Sequence, residues 1–285
     1  VDQRIIDLYD EYTHKPLPRR VFLQRLAALT GSSAAATALL PLLDSNYAQA
    51  AVDAADPRIQ SETVNYPAAT GPVRALLVRP KDGANHPAII VIHENRGLTP
   101  HIQDVTRRMA LEGFVALAPD LLSPLGGTPA NDDQARERFT RLNRLQTIAN
   151  GVAAVAWLKG RIDVTGRVGA TGFCWGGGIV NQLAVNSPEL SAAVPFYGDQ
   201  PEAADVPRIR AKMMLHYASN DDRINAGIPA FEAALEVSKI SYVMYQYEKT
   251  QHAFHNDTAG VRYNKAAAAL AWKRTIEFFN ENLKG

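Results

Sequence analysis

Cysteine is almost missing from this chain. One thiol, Cys174, occurs in 285 residues, so no intrachain disulfide can form and no cysteine-based zinc site can be assembled. Net charge is almost missing as well. Lys+Arg 30 against Asp+Glu 29 leaves +1, which gives no field to steer DNA, RNA or an acidic membrane surface. There is no internal repeat, no His-Glu-x-x-His metal motif and no Gly/Pro/Ser-rich linker that would split residues 51–285. What is present is an ordinary globular composition, 46% hydrophobic and 21% charged, which excludes collagen-like, disordered and coiled-coil chains. The length suits one large domain or two small ones.

Residues 1–50 stand apart. The first 18 are polar. Then come Arg19-Arg20-Val21-Phe22-Leu23-Gln24 and a weakly apolar run from Leu26 to Leu43, and the segment closes on Ala48-Gln49-Ala50. A basic region, a modest apolar stretch and a small-x-small site are the three parts of an export signal. An arginine pair followed by x-Phe-Leu resembles the twin-arginine type, which carries folded proteins. The run holds too much Gly, Ser and Thr for a stable membrane span. The competing reading is an amphipathic helix packed on the domain that happens to begin with two arginines. A working signal implies a periplasmic protein with the twin-arginine machinery as partner; otherwise the address is cytoplasmic. Whether residues 1–50 are cleaved or dock stays open at this point. Removing them deletes five basic and five acidic residues, so export would not change the charge.

From residue 51 onward, short β-rich runs alternate with longer helical patterns. Strands are expected at Arg74–Val78, Ala88–His93, Phe114–Ala118, Val168–Thr171, Ala192–Tyr197, Lys212–Tyr217 and Tyr242–Tyr247, and helices at 101–112, 131–159, 176–187, 227–238 and 262–283. Several of the strands are apolar without alternation, as strands buried on both faces are. Alternating strands and helices imply one α/β domain over 51–285, with a mostly parallel sheet covered on both sides.

Gly172-Phe173-Cys174-Trp175-Gly176-Gly177-Gly178 follows an expected strand and opens an expected helix. This is the setting of a nucleophile elbow, with Cys where the G-x-S-x-G pattern has Ser. The turn is sharp and strained, so Gly172 and Gly176 keep side-chain atoms out of the neighbouring strand and helix. The helix N-terminus behind Cys174 favours a thiolate and a developing oxyanion. A phosphate-binding glycine loop would instead come at the first strand of such a fold.

A nucleophile needs a base, and the base an orienting group. After the strand at 212–217 comes Ser219-Asn220-Asp221-Asp222, and after the strand at 242–247 comes Gln251-His252-Ala253-Phe254-His255. In the α/β-hydrolase fold the order along the chain is nucleophile, acid, histidine. The spacings of 47 and 31 residues each leave room for one strand–helix unit. Asp221 is favoured over Asp222 because it comes first after the turn. The choice between His252 and His255 rests on the resemblance described next.

Gly-Phe-Cys-Trp-Gly-Gly, Phe196-Tyr197-Gly198, the Asp221 loop, His252-Ala253-Phe254 and Val91-Ile92-His93-Glu94-Asn95-Arg96-Gly97-Leu98 resemble the dienelactone hydrolase family. The resemblance covers nearly all of 61–285. It implies an α/β-hydrolase fold and a Cys174-His252-Asp221 triad acting on esters or lactones without a cofactor. It also implies that Glu94 interacts with the resting thiol and helps deprotonate it. The chain departs from the family pattern in one place. Well-known members carry an Arg four residues after the triad His, paired with that Glu, whereas position 256 here is Asn. Arg96 is the candidate substitute.

The resulting expectation is a thioester mechanism. Cys174 attacks the carbonyl, His252 handles the proton and Asp221 fixes its tautomer. The backbone N–H groups of Trp175 and Asn95 form the oxyanion hole. Tyr197 and Trp175 are candidate pocket walls. His93, His101 and His216 read as packing residues rather than metal ligands. Arg107, Arg108 and the group Arg136, Arg138, Arg141 and Arg144 read as solvated helix faces, with one of the latter group a candidate for meeting a substrate carboxylate. The competing functions are a Cys peptidase and a non-enzymatic redox-sensing or binding protein that uses Cys174. The residues name neither a natural substrate nor an oligomeric state.

Overall fold

Strands such as Ala88-Ile89-Ile90-Val91-Ile92 show no polar alternation because both of their faces are covered: all five residues are fully buried. The computed structural model describes residues 1–15, 17–44, 46 and 52–285. Eight strands form one sheet: β1 (Ile59–Tyr66), β2 (Val73–Pro80), β3 (His86–Ile92), β4 (Val115–Pro119), β5 (Val164–Phe173), β6 (Ala192–Phe196), β7 (Lys212–Asn220) and β8 (Tyr242–Gln251). Their spatial order is β1-β2-β4-β3-β5-β6-β7-β8. β2 runs antiparallel to β1 and β4, and every pairing from β4 to β8 is parallel. The fold is the expected α/β architecture. β1 was not anticipated, because Gln60, Thr63 and Asn65 on this edge strand face solvent and dilute its apolar content.

Helices α4 (Pro100–Leu111) and α10 (Lys265–Leu283) cover one face of the sheet, burying Ile102, Val105, Met109, Ile276, Phe279 and Leu283. On the other face lie α6 (Arg144–Lys159), α7 (Trp175–Asn186) and α9 (Ile228–Val237), which bury Val155, Leu158, Val180, Leu183, Phe231 and Leu235. The helix expected over 131–159 is two helices, α5 (Asp132–Thr140) and α6. Asn143 makes the break: its side chain accepts a hydrogen bond from the Gln146 N–H and starts α6 afresh.

The N-terminal segment is helical. α1 (Gln3–His14), α2 (Arg19–Thr30) and α3 (Ser33–Leu43) share a core of Tyr9, Tyr12, Phe22, Leu26 and Leu43. The first 18 residues are therefore less uniformly polar than they read. Ile5, Leu8, Tyr9 and Tyr12 recur at helical spacing and are buried along one stripe of α1. α2 ends on Gly31, whose φ of 81° suits glycine, and the chain bends by 109° into α3. No single helix among the described residues is long and apolar enough to cross a membrane. Ala48-Gln49-Ala50 lies outside the described residues.

This arm is tied to the domain at many points. Tyr12 Oη donates to Asp133 at 3.1 Å, and Arg19 pairs with the same carboxylate. The Arg136 guanidinium stacks 3.9 Å above the Tyr12 ring and donates to the Tyr12 carbonyl. Gln3 exchanges hydrogen bonds with Gln251 at the end of β8, and Asn46 N–H donates to the Thr258 carbonyl.

Candidate active site

Cys174 joins β5 to α7 with φ 57° and ψ −121°, a conformation that L-residues rarely adopt. The elbow is possible because its flanks carry no Cβ. One on Gly172 would meet the Gly176 carbonyl oxygen at 2.5 Å, and one on Gly176 would meet the His93 carbonyl oxygen at 2.4 Å. The thiol is 6% exposed and stands at the N-terminus of a 12-residue helix. Neither the Trp175 N–H nor the Asn95 N–H donates a hydrogen bond among the described residues.

The Asp221 and His252 side chains come together. His252 Nδ1 lies 2.6 Å from Asp221 Oδ2, both residues being buried. A carboxylate only accepts, so Nδ1 carries the proton and Nε2 presents a lone pair. That Nε2 is buried and has no partner among the described residues. Burial disfavours the charged imidazolium, but the Asp221 and Asp10 carboxylates outweigh it and raise the His252 pKa above its ordinary value. The two open alternatives are placed elsewhere. Asp222 is exposed and begins α8 (Asp222–Asn225). His255 stacks 5.1 Å from the Phe173 ring, and burial pushes its pKa down to about 3.

The hydrogen-bond partner of Cys174 comes from the arm. His14 Nε2 is 2.9 Å from Cys174 Sγ. On the other side of that ring, Nδ1 is 2.9 Å from the Asp10 carbonyl oxygen, with Asp10 Oδ1 3.1 Å away. His14 and His252 meet edge to face, their ring centroids 4.8 Å apart. Burial opposes charge on His14, yet the Cys174 thiolate and the Asp10 carboxylate prevail and push its pKa up to about 9. Asp10 is half-buried; burial opposes its charge, but His252, His14 and Arg223 outweigh that and hold its carboxyl well below the usual range. The sequence reading assigned His14 to a leader and missed it. The available signal was Asp10-x-x-x-His14, an acid and an imidazole one helical turn apart.

Glu94 is held differently from the family expectation. Its Oε2 accepts a 2.8 Å hydrogen bond from Asn256 Nδ2, so the family's Arg position is filled by a neutral donor. Arg96 does not take that place; it donates to the Asp132 carbonyl. Among the described residues no hydrogen bond joins Glu94 to Cys174. Asn95 uses its side chain to hold the Thr13 carbonyl at 2.6 Å. Tyr197 is buried with φ 37°, and its hydroxyl finds no partner among the described residues.

The remaining candidates settle into structural roles. His93 is buried, its Nδ1 2.7 Å from the Glu94 carbonyl oxygen and its Nε2 accepting from the Leu121 N–H. His216 bonds Tyr247 and Thr275, and His101 bonds Asp257. These three histidines do not assemble. Among the described residues, the one metal-capable cluster is His14, Cys174 and His252, whose donor atoms all lie within 4.8 Å of one another, so a single thiol does not exclude a mixed histidine–cysteine site as the sequence had suggested. Arg108 is not a solvated face residue: it pairs with Asp104 and Asp257, with 23% of its side chain exposed. Arg141 and Arg144 are exposed as expected. Arg138 donates to the Gly127 carbonyl, while Arg136 lines a cleft of about 580 Å³ with His14, Phe139, Cys174 and Trp175.

An elbow, an acid and a histidine at the C-terminal ends of the parallel strands β5, β7 and β8, in that order along the chain, belong to the α/β-hydrolases. The crystal structure titled "Putative Dienelactone Hydrolase" from Klebsiella pneumoniae subsp. pneumoniae MGH 78578 has this fold; it superposes with a TM-score of 0.70 at 25% identity, covering 78% of this chain and 99% of that one. Within that class the chain belongs to the dienelactone hydrolase family, whose sequence pattern matches residues 73–283. A Saccharolobus solfataricus protein named "Putative carboxymethylenebutenolidase" is 30% identical over 244 residues, 72% of this chain and 93% of its own. The Escherichia coli K12 "Putative hydrolase fragment YghX" is 52% identical over 106 residues, 36% of this chain and 91% of that protein. The protein is thus a hydrolase acting on carboxylic esters. α1, which carries His14, lies outside the matched span.

Proposed function

We propose that the protein cleaves an ester or lactone through a thioester on Cys174, with His252 and Asp221 as base and orienting acid. One observation carries this reading: a buried thiol at a strained elbow faces a site into which the unpartnered, Asp221-backed His252 also opens. The thiolate adds to the carbonyl carbon, and the Trp175 and Asn95 amides receive the oxyanion. Collapse breaks the C–O bond, the proton that His252 took from the thiol passes to the leaving oxygen, and an acyl thioester remains. Water then attacks as His252 Nε2 takes its proton, and the C–S bond breaks to regenerate the thiolate. The cleft beside Arg136, Phe139 and Trp175 is large enough for a small ester. Twin-arginine export belongs to the same proposal, on the strength of Arg19-Arg20 and the apolar run behind them. Fractionation of cells making the full chain tests it.

The test of the chemistry is Cys174→Ala on 4-nitrophenyl acetate, with intact-mass analysis of the unmodified chain during turnover. An acetyl adduct on Cys174 and loss of turnover by 10³-fold or more, roughly what removal of a nucleophile costs, are expected. Full turnover by the Ala variant overturns the assignment. Faster cleavage of a peptide anilide than of an enol-lactone would move the reading to a peptidase.

A further inference from the structure

We propose that His14, delivered by the N-terminal arm and oriented by Asp10, is a catalytic residue that forms a second imidazole–acid pair on the same thiol as His252–Asp221. The inference rests on Cys174 being the nucleophile. Three observations carry it. His14 Nε2 is the hydrogen-bond partner of Sγ at 2.9 Å. Nδ1 faces the Asp10 carbonyl, which only accepts, so Nδ1 holds a proton and Nε2 is the nitrogen that exchanges a proton with the thiol. His252 Nε2, by contrast, is unpartnered among the described residues and free for water. The arm does not seal the site, because the cleft lined by Thr13, His14 and Leu17 still reaches Cys174.

The two imidazoles then divide the reaction. The Cys174 thiol proton passes to His14 Nε2, giving a thiolate–imidazolium pair. The thiolate forms the C–S bond, the ester C–O bond breaks, and His14 gives its proton to the leaving oxygen. In the second half His252 Nε2 takes a proton from water, hydroxide adds to the thioester, and the C–S bond breaks to release the carboxylic acid and the thiolate. The proton on His252 passes through water to His14, 4.8 Å away between ring centroids, and the thiolate–imidazolium pair is restored. The charged and titratable groups around His14 include Asp10, Glu11 and Lys15 beside it, Asp221 after β7, Arg223 in α8, His252 after β8, Arg262, Glu94 after β3, Arg136 in α5, and Cys174. A cut at residues 48–50 would remove His14, so the active enzyme must retain its arm.

The test uses the full chain. In His14→Gln, the rate of Cys174 alkylation by iodoacetamide at pH 7 should fall tenfold or more. Its pH profile should move up toward the free-thiol value of about 8.5. The acylation burst with 4-nitrophenyl acetate should slow by a similar factor, while deacylation changes less. Asp10→Asn, which keeps the helix and the side-chain volume, should shift the alkylation profile upward by about half a unit or more, and it serves if His14→Gln does not fold. Alkylation and burst within twofold of wild type in either variant would make His14 a packing residue and overturn the proposal. Acceleration of both would make the arm a plug, which overturns it equally. Loss of activity in Cys174→Ala alongside unchanged His14→Gln would sink this inference and leave the thioester reading standing.

Discussion

Asn256 Nδ2 donates a 2.8 Å hydrogen bond to Glu94 Oε2, joining the loop after β8 to the loop after β3 through a neutral amide. Asn256 is 2% exposed, and its own oxygen accepts from the Thr258 N–H and hydroxyl, so it is fixed at both ends. A Glu held this way is a brace between loops, while the thiol has His14 Nε2 as its hydrogen-bond partner. Glu94→Gln preserves an acceptor for Asn256 and should change both kcat/KM and Cys174 alkylation by less than about threefold. Glu94→Ala leaves Asn256 Nδ2 buried and unsatisfied, which should cost about 1–3 kcal/mol of stability. A large loss of thiol reactivity in Glu94→Gln would restore the Glu to the role that the family resemblance implied.

The Asp221–His252 bond fixes a tautomer, so its removal should be felt in rate more than in stability. Asp221→Asn should lower kcat by about 10²–10⁴, because the amide NH₂ favours the tautomer with Nε2 protonated. His255→Phe should stay within about fivefold of wild type, since His255 is neutral and stacked on Phe173, and its Nδ1 has no hydrogen-bond partner among the described residues. Steady-state kinetics on one nitrophenyl ester decide both. Equal losses from the two histidines would undo the choice between them.

The elbow makes a prediction about folding. Gly176→Ala would drive a Cβ to 2.4 Å from the His93 carbonyl and 2.5 Å from that of Ile92, both backbone atoms that cannot yield. A loss of about 3 kcal/mol or more, or failure to accumulate, is expected. Gly160→Ala is the control. Its Cβ would find its nearest contact at an ordinary 3.6 Å, and φ is −82°. That change should fall within about ±0.5 kcal/mol, as urea denaturation would show.

These outcomes bear on how much was readable beforehand. The core strands announced themselves because Ala88–Ile92 and Ala192–Phe196 are apolar on both faces. The elbow was legible because two glycines flank a nucleophile at a strand–helix junction. β1 escaped because a half-solvated edge strand has too little apolar contrast. The His14 contact was not legible, because it spans 160 residues and depends on how a helix with its own small core docks across the mouth of the site. Asn256 was noted as a departure. What it does there required knowing that its amide reaches Glu94.

The arm should also leave a signature in stability against pH. Burial lowers the His14 pKa, but Cys174 and Asp10 together raise it to about 9, above the free value of 6.5. A group raised on folding contributes stability that is complete below its unfolded pKa and lost as pH climbs through its folded one. The thermal midpoint of the full chain should therefore fall between pH 6.5 and about 9, by about 2–4 °C for each kcal/mol lost. His14→Gln should flatten that slope. A wild-type midpoint that is level across this window would show that the docked arm gains nothing from the charged imidazole.

Zinc offers an independent probe of the same convergence. His14, Cys174 and His252 supply two nitrogens and one sulfur within 4.8 Å of one another. Zinc bonds of about 2.0–2.1 Å to nitrogen and 2.3 Å to sulfur put tetrahedral donors about 3.5 Å apart, so the 2.9 Å His14–Cys174 contact would open by more than about half an ångström and the wider separations in the cluster would close. Three protein donors with an open fourth position are a common zinc arrangement, and occupancy would block both the nucleophile and the base. Micromolar zinc should inhibit ester hydrolysis by the full chain, and a chelator should reverse it. His14→Gln retains only one nitrogen and the sulfur in the set, so its residual activity should need at least tenfold more zinc for the same inhibition. Equal sensitivity in wild type and His14→Gln would mean that zinc binds without the arm, and that the two imidazoles do not close on the thiol together in solution.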